Sequence, residues 1–271
     1  LALYLFVVHT ATAGERSFLN RVLLRDSNCV AGTLLMFLIG IPLYGTMTLL
    51  PTMMQSLMNY PVITAGFVTA PRGVGTMLGM LVVTRLVGRI DVRLIIFIGM
   101  AISALSLWQM TGFSLQMGMS PLLISGVLQG FGLGFVFTPL SVATFSTLAR
   151  QHVTQGTAFF SLMRNIGGSV GVSIVEALFV RNTQIVHSRL VEHVRPDNPM
   201  AQAPALGFPY SLSEVHGVAA LNAEVTRQAQ MIAYIDDFHL MVLVVLAALP
   251  FLLLLKRRAR RDGDAPAVAL E

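Results

Sequence analysis

The chain has 271 residues, of which 55% are hydrophobic and only 11% charged, and its mean hydropathy is +0.73. A water-soluble domain carries about 25% charged residues, so the composition excludes one and defines an integral membrane protein. The net charge of +5 does not imply nucleic acid, because the arginines fall in short connections between apolar spans and in the tail Lys256-Arg257-Arg258-Ala259-Arg260-Arg261.

The single cysteine, Cys29, excludes an internal disulfide and a cysteine-rich metal site. The chain opens on Leu1-Ala-Leu-Tyr-Leu-Phe-Val-Val, too short to span and without the basic region or cleavage site of a signal peptide. Residues 1–12 are read as the end of a truncated transmembrane helix, so a longer functional protein is expected. Residues 13–28 set Glu15, Arg16, Arg21, Arg25 and Asp26 among Phe18, Leu19, Val22, Leu23 and Leu24, which predicts an amphipathic connector on the cytoplasmic face.

Span one is expected over Cys29 to Leu50, followed by an uncharged outside turn, Pro51 to Pro61. Span two, Thr64 to Leu86, is long enough at about 1.5 Å per residue to cross a hydrocarbon layer roughly 30 Å thick. Until Arg85 its only charge is Arg72, roughly 12 Å deep, where an unpaired guanidinium is costly and faces a cavity or a partner. The span ends in the basic turn Arg85, Arg89, Asp91 and Arg93, which marks the inside. No charged residue follows from Leu94 through Ala149. That stretch predicts span three, Leu94 to Thr111, the outside turn Gly112 to Ser120, and span four, Pro121 to Thr147. In span four Gly126, Gly130 and Gly134 fall on one helical face that a neighbour can approach closely, and Pro139 predicts a kink. Arg150 and His152 mark an inside loop. Span five, Thr157 to Val180, carries Arg164 and Glu176 and a second close-packing face at Gly167, Gly168 and Gly171. Residues 181–235, with Pro196, Pro199, Pro204 and Pro209, form the expected external loop. Within it Ser211 and Glu214 form a capping box that predicts a helix over Leu212 to Tyr234, running on toward the last span. Span six is expected over Phe238 to Leu255, with Asp236 and Asp237 just outside it as caps, and 256–271 as a basic cytoplasmic tail.

The inside segments hold Arg16, Arg21, Arg25, Arg85, Arg89, Arg93, Arg150 and the tail, while the two short outside turns hold no basic residue. Six complete spans with both ends inside satisfy this asymmetry.

Four segments carry a family resemblance: Leu24-Arg25-Asp26-Ser27-Asn28, Ala70-Pro71-Arg72-Gly73-Val74-Gly75, Gly130-Phe-Gly-Leu-Gly-Phe-Val-Phe-Thr-Pro139-Leu, and Gly156-Thr-Ala-Phe-Phe-Ser-Leu-Met-Arg164-Asn165-Ile-Gly167-Gly168. In this order and spacing the chain resembles the fourteen-span drug:proton antiporters of the major facilitator superfamily, the EmrB/QacA type. The resemblance implies an all-α membrane fold in which 29–255 form a six-helix half-bundle, the C-terminal half of a transporter whose N-terminal half is missing here. It further implies proton-coupled export of small lipophilic or amphipathic compounds by alternating access, with the proton gradient as energy source and no cofactor or metal. The setting is then the bacterial inner membrane and its lipid bilayer, with a periplasmic adaptor and an outer-membrane channel as partners and the external loop as a docking surface. The turn Thr84-Arg-Leu-Val-Gly88-Arg89-Ile-Asp91-Val-Arg93 resembles the superfamily's gating loop, with threonine and glycine at its glycine and first aspartate positions.

The substrate or coupling candidates are Arg72, Gln129, Arg164, Asn165 and Glu176. Arg72 reads either as a cavity-facing charge or as a structural or snorkelling guanidinium. Gln129 either lines the cavity or hydrogen-bonds across helices. Arg164, set beside Asn165, reads as family-like or as a headgroup anchor. Glu176, near the outer end of span five, ionises there at little cost. An intramembrane enzyme would need a catalytic constellation that the spans lack. An anchoring subunit would need none of these polar groups, and a facilitator of another small molecule is the remaining alternative.

Overall fold

The computed structural model describes residues 21–194, 210 and 215–255. Leu1 to Thr12, most of the connector, the Ser211/Glu214 capping box and the basic tail lie outside the described residues. The described chain is helical throughout: α1 (Arg21–Arg25), α2 (Ser27–Ser56), α3 (Val62–Thr69), α4 (Pro71–Leu86), α5 (Val92–Met110), α6 (Met119–Phe145), α7 (Arg150–Val191) and α8 (Val215–Ala248), the last continuing as a 3-10 helix, Leu249–Leu254. Taking α3 and α4 as one crossing, six helical segments are long and apolar enough to cross a membrane.

Local chemistry sets the ends. Asp26 accepts from the Cys29 amide at 2.8 Å and caps α2, and its Oδ1 also accepts from the Thr147 hydroxyl at 2.8 Å, which ties the inner ends of α2 and α6 together. Asn59, with φ of 55°, takes the left-handed conformation that stops the chain beyond α2. The expected turn from Pro51 to Pro61 is therefore shorter: α2 runs through Pro51 to Ser56, because a proline costs one donor while the rest of the turn still bonds. Span two is broken at Ala70, where Pro71 cannot donate to the preceding turn, so Arg72 opens the second turn-set of the crossing rather than sitting mid-helix. Gly88, with φ of 93°, allows the tight turn after α4, and Asp91 caps α5 through the Arg93 amide at 3.1 Å. The α6 helix continues through Pro139.

The largest correction concerns residues 181–235. The first residues of this expected loop are helix, since α7 continues past Val180 to Val191, whereas the helix expected ahead of the last span is present: α8 begins at Val215 and runs unbroken through Asp236 and Asp237. At about 1.5 Å per residue α7 is roughly 63 Å long, about twice the hydrocarbon thickness, so both helices project beyond the bilayer. Their projecting ends are joined by a hydrogen bond between His187 Nε2 and Asn222 Oδ1 at 3.1 Å, and Arg227 of α8 donates to the Leu57 carbonyl at 3.2 Å.

The closest helix pairs are α4 with α6, α2 with α7, and α5 with α6. Counting spans from one to six, second packs on fourth and first packs on fifth, the two pairs that exchange when spans one to three are swapped with four to six. A repeated three-helix unit is the arrangement. The apolar core runs between α2, α5, α6 and α8, around Leu35, Met36, Met53, Met100, Leu140, Phe238 and Met241.

Candidate functional site

A cavity of about 500 Å³ lies between α2, α3, α4 and α6. Its wall is apolar, with Met47, Leu50, Met54, Leu133 and Phe137, and its one charge is Arg72. Two backbone features open it. The break at Ala70 separates α3 from α4, and Pro51 leaves the Met47 carbonyl without its intrahelical donor beside the same space. Arg72 Nη2 donates to the Leu43 carbonyl at 3.2 Å, and among the described residues no carboxylate forms a salt bridge with it. A cation held by one neutral carbonyl against an apolar cavity keeps most of its donors for something else.

Three of the sequence candidates converge on one turn of α2. Arg72 reaches Leu43; Gln129, 2% exposed, donates from Nε2 to the Thr46 hydroxyl at 3.2 Å; Asn165 accepts from the Tyr44 hydroxyl at 3.1 Å. Gln129 does not line the large cavity. It borders a small void of about 20 Å³ with Pro42, Ser103 and Leu133, and its Oε1 is buried without a donor among the described residues. Thr46 in turn donates to the Pro42 carbonyl at 2.7 Å. Arg164 keeps a buried Nε with no acceptor among the described residues, while its own carbonyl lies where a side chain at Gly40 would come within 2.6 Å.

Glu176 stands apart from this turn. Half-buried on α7, it faces α8, where Tyr234 and Asp237 feel its charge. Asp237, expected as a cap just outside the last span, is instead 1% exposed inside α8, with neither carboxylate oxygen hydrogen-bonded among the described residues. Asp236 is exposed beside it. The cap reading fails because α8 begins well upstream, at Val215, so the helix has no free backbone amide at Asp237. The signal that finds it is helical spacing: Tyr234, Asp237 and Met241 share a face.

In the turn after α4, Arg85 and Arg89 are exposed, and Arg93 Nη2 donates to the Leu255 carbonyl, fastening α5 to the end of the last helix. The glycines pack helix on helix. A side chain at Gly134 would come within 2.6 Å of the Thr76 carbonyl, and one at Gly130 would collide with the Arg72 carbonyl. Across the seam, Gly79 lies equally close to Phe131. Gly126 is looser than its spacing suggested, since its nearest contact would be the Arg72 Cβ at 3.9 Å. On α7, Gly167 and Gly171 seat against the Phe37 and Ile41 backbone, and Gly168 against the Tyr44 ring.

Comparison with known proteins gives this geometry a family. The chain is 26% identical over 198 residues to the multidrug export protein EmrB of Haemophilus influenzae, covering 72% of this chain and 39% of that protein. It is 25% identical to the fatty acid resistance protein FarB of Neisseria gonorrhoeae, covering 86% and 46%, and 25% identical to the probable multidrug resistance protein EmrY of Escherichia coli, covering 94% and 49%. The chain thus spans less than half the length of these relatives, matching their C-terminal portion. Residues 8–180 match the Major Facilitator Superfamily. That match crosses five of the six spans, and the apolar helices make the protein a multi-pass membrane protein of a transporter family. Because the match covers well over half of the chain and the helix pairing repeats in threes, the chain belongs to the Major Facilitator Superfamily.

Proposed function

We propose that this chain is the C-terminal half of a proton-coupled multidrug efflux transporter of the bacterial inner membrane, a secondary active transporter that needs no cofactor beyond the proton gradient. The similarity to the multidrug export protein EmrB and the probable multidrug resistance protein EmrY supports drug efflux, and the apolar cavity supports hydrophobic or amphipathic compounds as the substrates. The observation that carries the reading is the 500 Å³ apolar cavity with Arg72 as its only charge. Such a space accepts bulky lipophilic molecules through methionine and aromatic contacts, and the guanidinium supplies one polar anchor or one coupling charge. Alternating access would rock this half-bundle against the missing N-terminal half about a cavity near the bilayer midplane. The projecting ends of α7 and α8 offer the surface for a periplasmic adaptor, and through it for an outer-membrane channel.

The test is efflux of a fluorescent lipophilic cation from energised cells expressing the full-length protein, with Arg72→Ala and Arg72→Lys at matched membrane abundance. Both variants are expected to lose proton-dependent efflux by about tenfold or more, because lysine cannot reproduce a guanidinium fork. Wild-type efflux in both would return Arg72 to a packing role and sink the cavity reading.

A further inference from the structure

Asp237 combines three features that the cavity does not use. It is 1% exposed, both of its carboxylate oxygens lack a donor among the described residues, and it lies mid-helix, where no free backbone amide can cap it. Its surroundings are tightly filled. Tyr234, one turn earlier, stacks on Phe179 of α7 with centroids 4.4 Å apart, Phe238 meets Phe113 edge-on at 6.0 Å, and Met241, one turn later, occupies the space left by Gly45 of α2. The α2 helix has no charged residue, and α5 has only Arg93, at its inner end. From α7 the facing group is Glu176; from α8 itself they are Asp236 and Tyr234. His239 turns away and packs its ring on Trp108 at 6.1 Å. Among the described residues no basic side chain forms an ion pair with Asp237.

A buried carboxylate with no donor or counter-cation among the described residues is costly as an anion, and a second acid adds to the cost. A proton cancels one charge and supplies the missing donor. The site also lies on the correct side for loading. Counting about 1.5 Å per α-helical and 2.0 Å per 3-10 residue, Asp237 is roughly 28 Å from Leu254 at the inner end, close to the outer edge of a hydrocarbon layer about 30 Å thick.

We propose that Asp237, facing Glu176 across the seam between α7 and α8, is a proton-binding site of this half of the transporter, loaded from the outer side. It rests on the proton-coupled reading above. Glu176, only half-buried, is the more accessible acid of the two. On loading, one O–H bond forms on the Asp237 carboxylate; on release that bond breaks, the proton leaves to water, and no other bond changes.

The experiment reconstitutes the full-length protein in proteoliposomes and follows a fluorescent lipophilic cation with and without an imposed pH gradient. Asp237→Asn is close in shape and permanently neutral. It is expected to lose gradient-driven transport by about tenfold or more, while gradient-free substrate exchange stays within about twofold of wild type. Unchanged gradient-driven transport overturns the site, and so does equal loss of both activities, which is the mark of a structural role. A wild type that ignores the pH gradient overturns instead the proton-coupled reading beneath it. If Asp237→Asn fails to reach the membrane, Asp237→Glu decides: a displaced pH midpoint of gradient-driven transport supports the site, and an unmoved midpoint overturns it.

Discussion

At the scale of the residue, the hydrogen bond between Gln129 and Thr46 shows how little polarity this core tolerates unpaired. Gln129 donates from Nε2 to the Thr46 hydroxyl at 3.2 Å, deep between α6 and α2. Removing one partner of a buried pair costs more than removing both, because the survivor stays desolvated. Thr46→Val is therefore expected to lower stability by about 1 to 2 kcal/mol, read as a drop in thermal midpoint in detergent. The double variant Thr46→Val with Gln129→Leu is expected to recover at least about half of that loss. A double variant as weak as the sum of two large single losses would show that the pair does something other than satisfy itself. The sequence exposed Gln129 as an odd polar residue among glycines but offered no partner for it, since Thr46 is 83 residues away. Asp237 was visible too, and its reading as a cap failed because its burial comes with the packing of α8 on α7 and α2, seen in the Tyr234 stack on Phe179 and in Met241 at Gly45, which no local window contains.

At the scale of the element, the second and fourth spans meet through small residues on both sides. Gly75 and Gly79 of α4 bring their backbone against Val127 and Phe131 of α6, while Gly130 and Gly134 return the contact to Arg72, Thr76 and Met80. Backbone against backbone leaves no flexible side chain to move aside, so a methyl group must push the helices apart. Gly134→Ala, whose new carbon would sit 2.6 Å from the Thr76 carbonyl, is expected to destabilise by about 1 to 3 kcal/mol and reduce membrane abundance. Gly126→Ala meets only the Arg72 Cβ at 3.9 Å, an ordinary contact, and is expected within about 0.5 kcal/mol of wild type. Thermal midpoints of the two variants check both, and equal losses would refute the close-approach account. The 126, 130, 134 spacing was legible in sequence because helical periodicity alone puts these residues on one face. Their unequal closeness was not, because it depends on where α4 crosses α6 and on the offset that Pro71 introduces.

At the scale of the whole molecule, burial is distributed unevenly among the spans, and the uneven part points to function. In the most apolar window of each span, 56% of residues are buried in α2 and α6, but only 22% in the α3–α4 crossing and 28% in α7. Of these, α7 differs in character from α5, whose exposed face is Leu94, Phe97, Ile98, Leu105 and Trp108 and suits lipid. On α7 the exposed residues include Asn165, Ser169 and Ser173, a polar stripe at four-residue spacing. On α4 the exposed face, Gly73 to Thr84, adjoins the residues around Arg72. A polar stripe within a membrane turns toward water or protein, so α7, together with α4 through the Arg72 cavity it borders, supplies the faces assigned to the transport pathway of the proposed transporter. Span order and orientation were legible because lipid and the positive-inside rule act on composition. The continuation of α7 past Val180 was not, since its projecting turns hold to α8 by pairs such as His187 with Asn222, which carry no hydropathy signal, whereas the helix leading into the last span was expected from its sequence. The assignment of faces predicts a labelling pattern in the full-length protein. Cysteines placed at Met77, beside the Arg72 cavity, and at Ser173, on the polar stripe of α7, are expected to react with a membrane-impermeant maleimide at rates that change several-fold when substrate is added, because rocking opens and closes water access there. Cysteines at Leu105 and Leu243, on the lipid-facing sides of α5 and α8, are expected to stay unlabelled in both conditions, and the native Cys29 is fully buried. Substrate-sensitive labelling at Leu105 with none at Met77 would reverse the faces and place the transport pathway on the other side of this half-bundle.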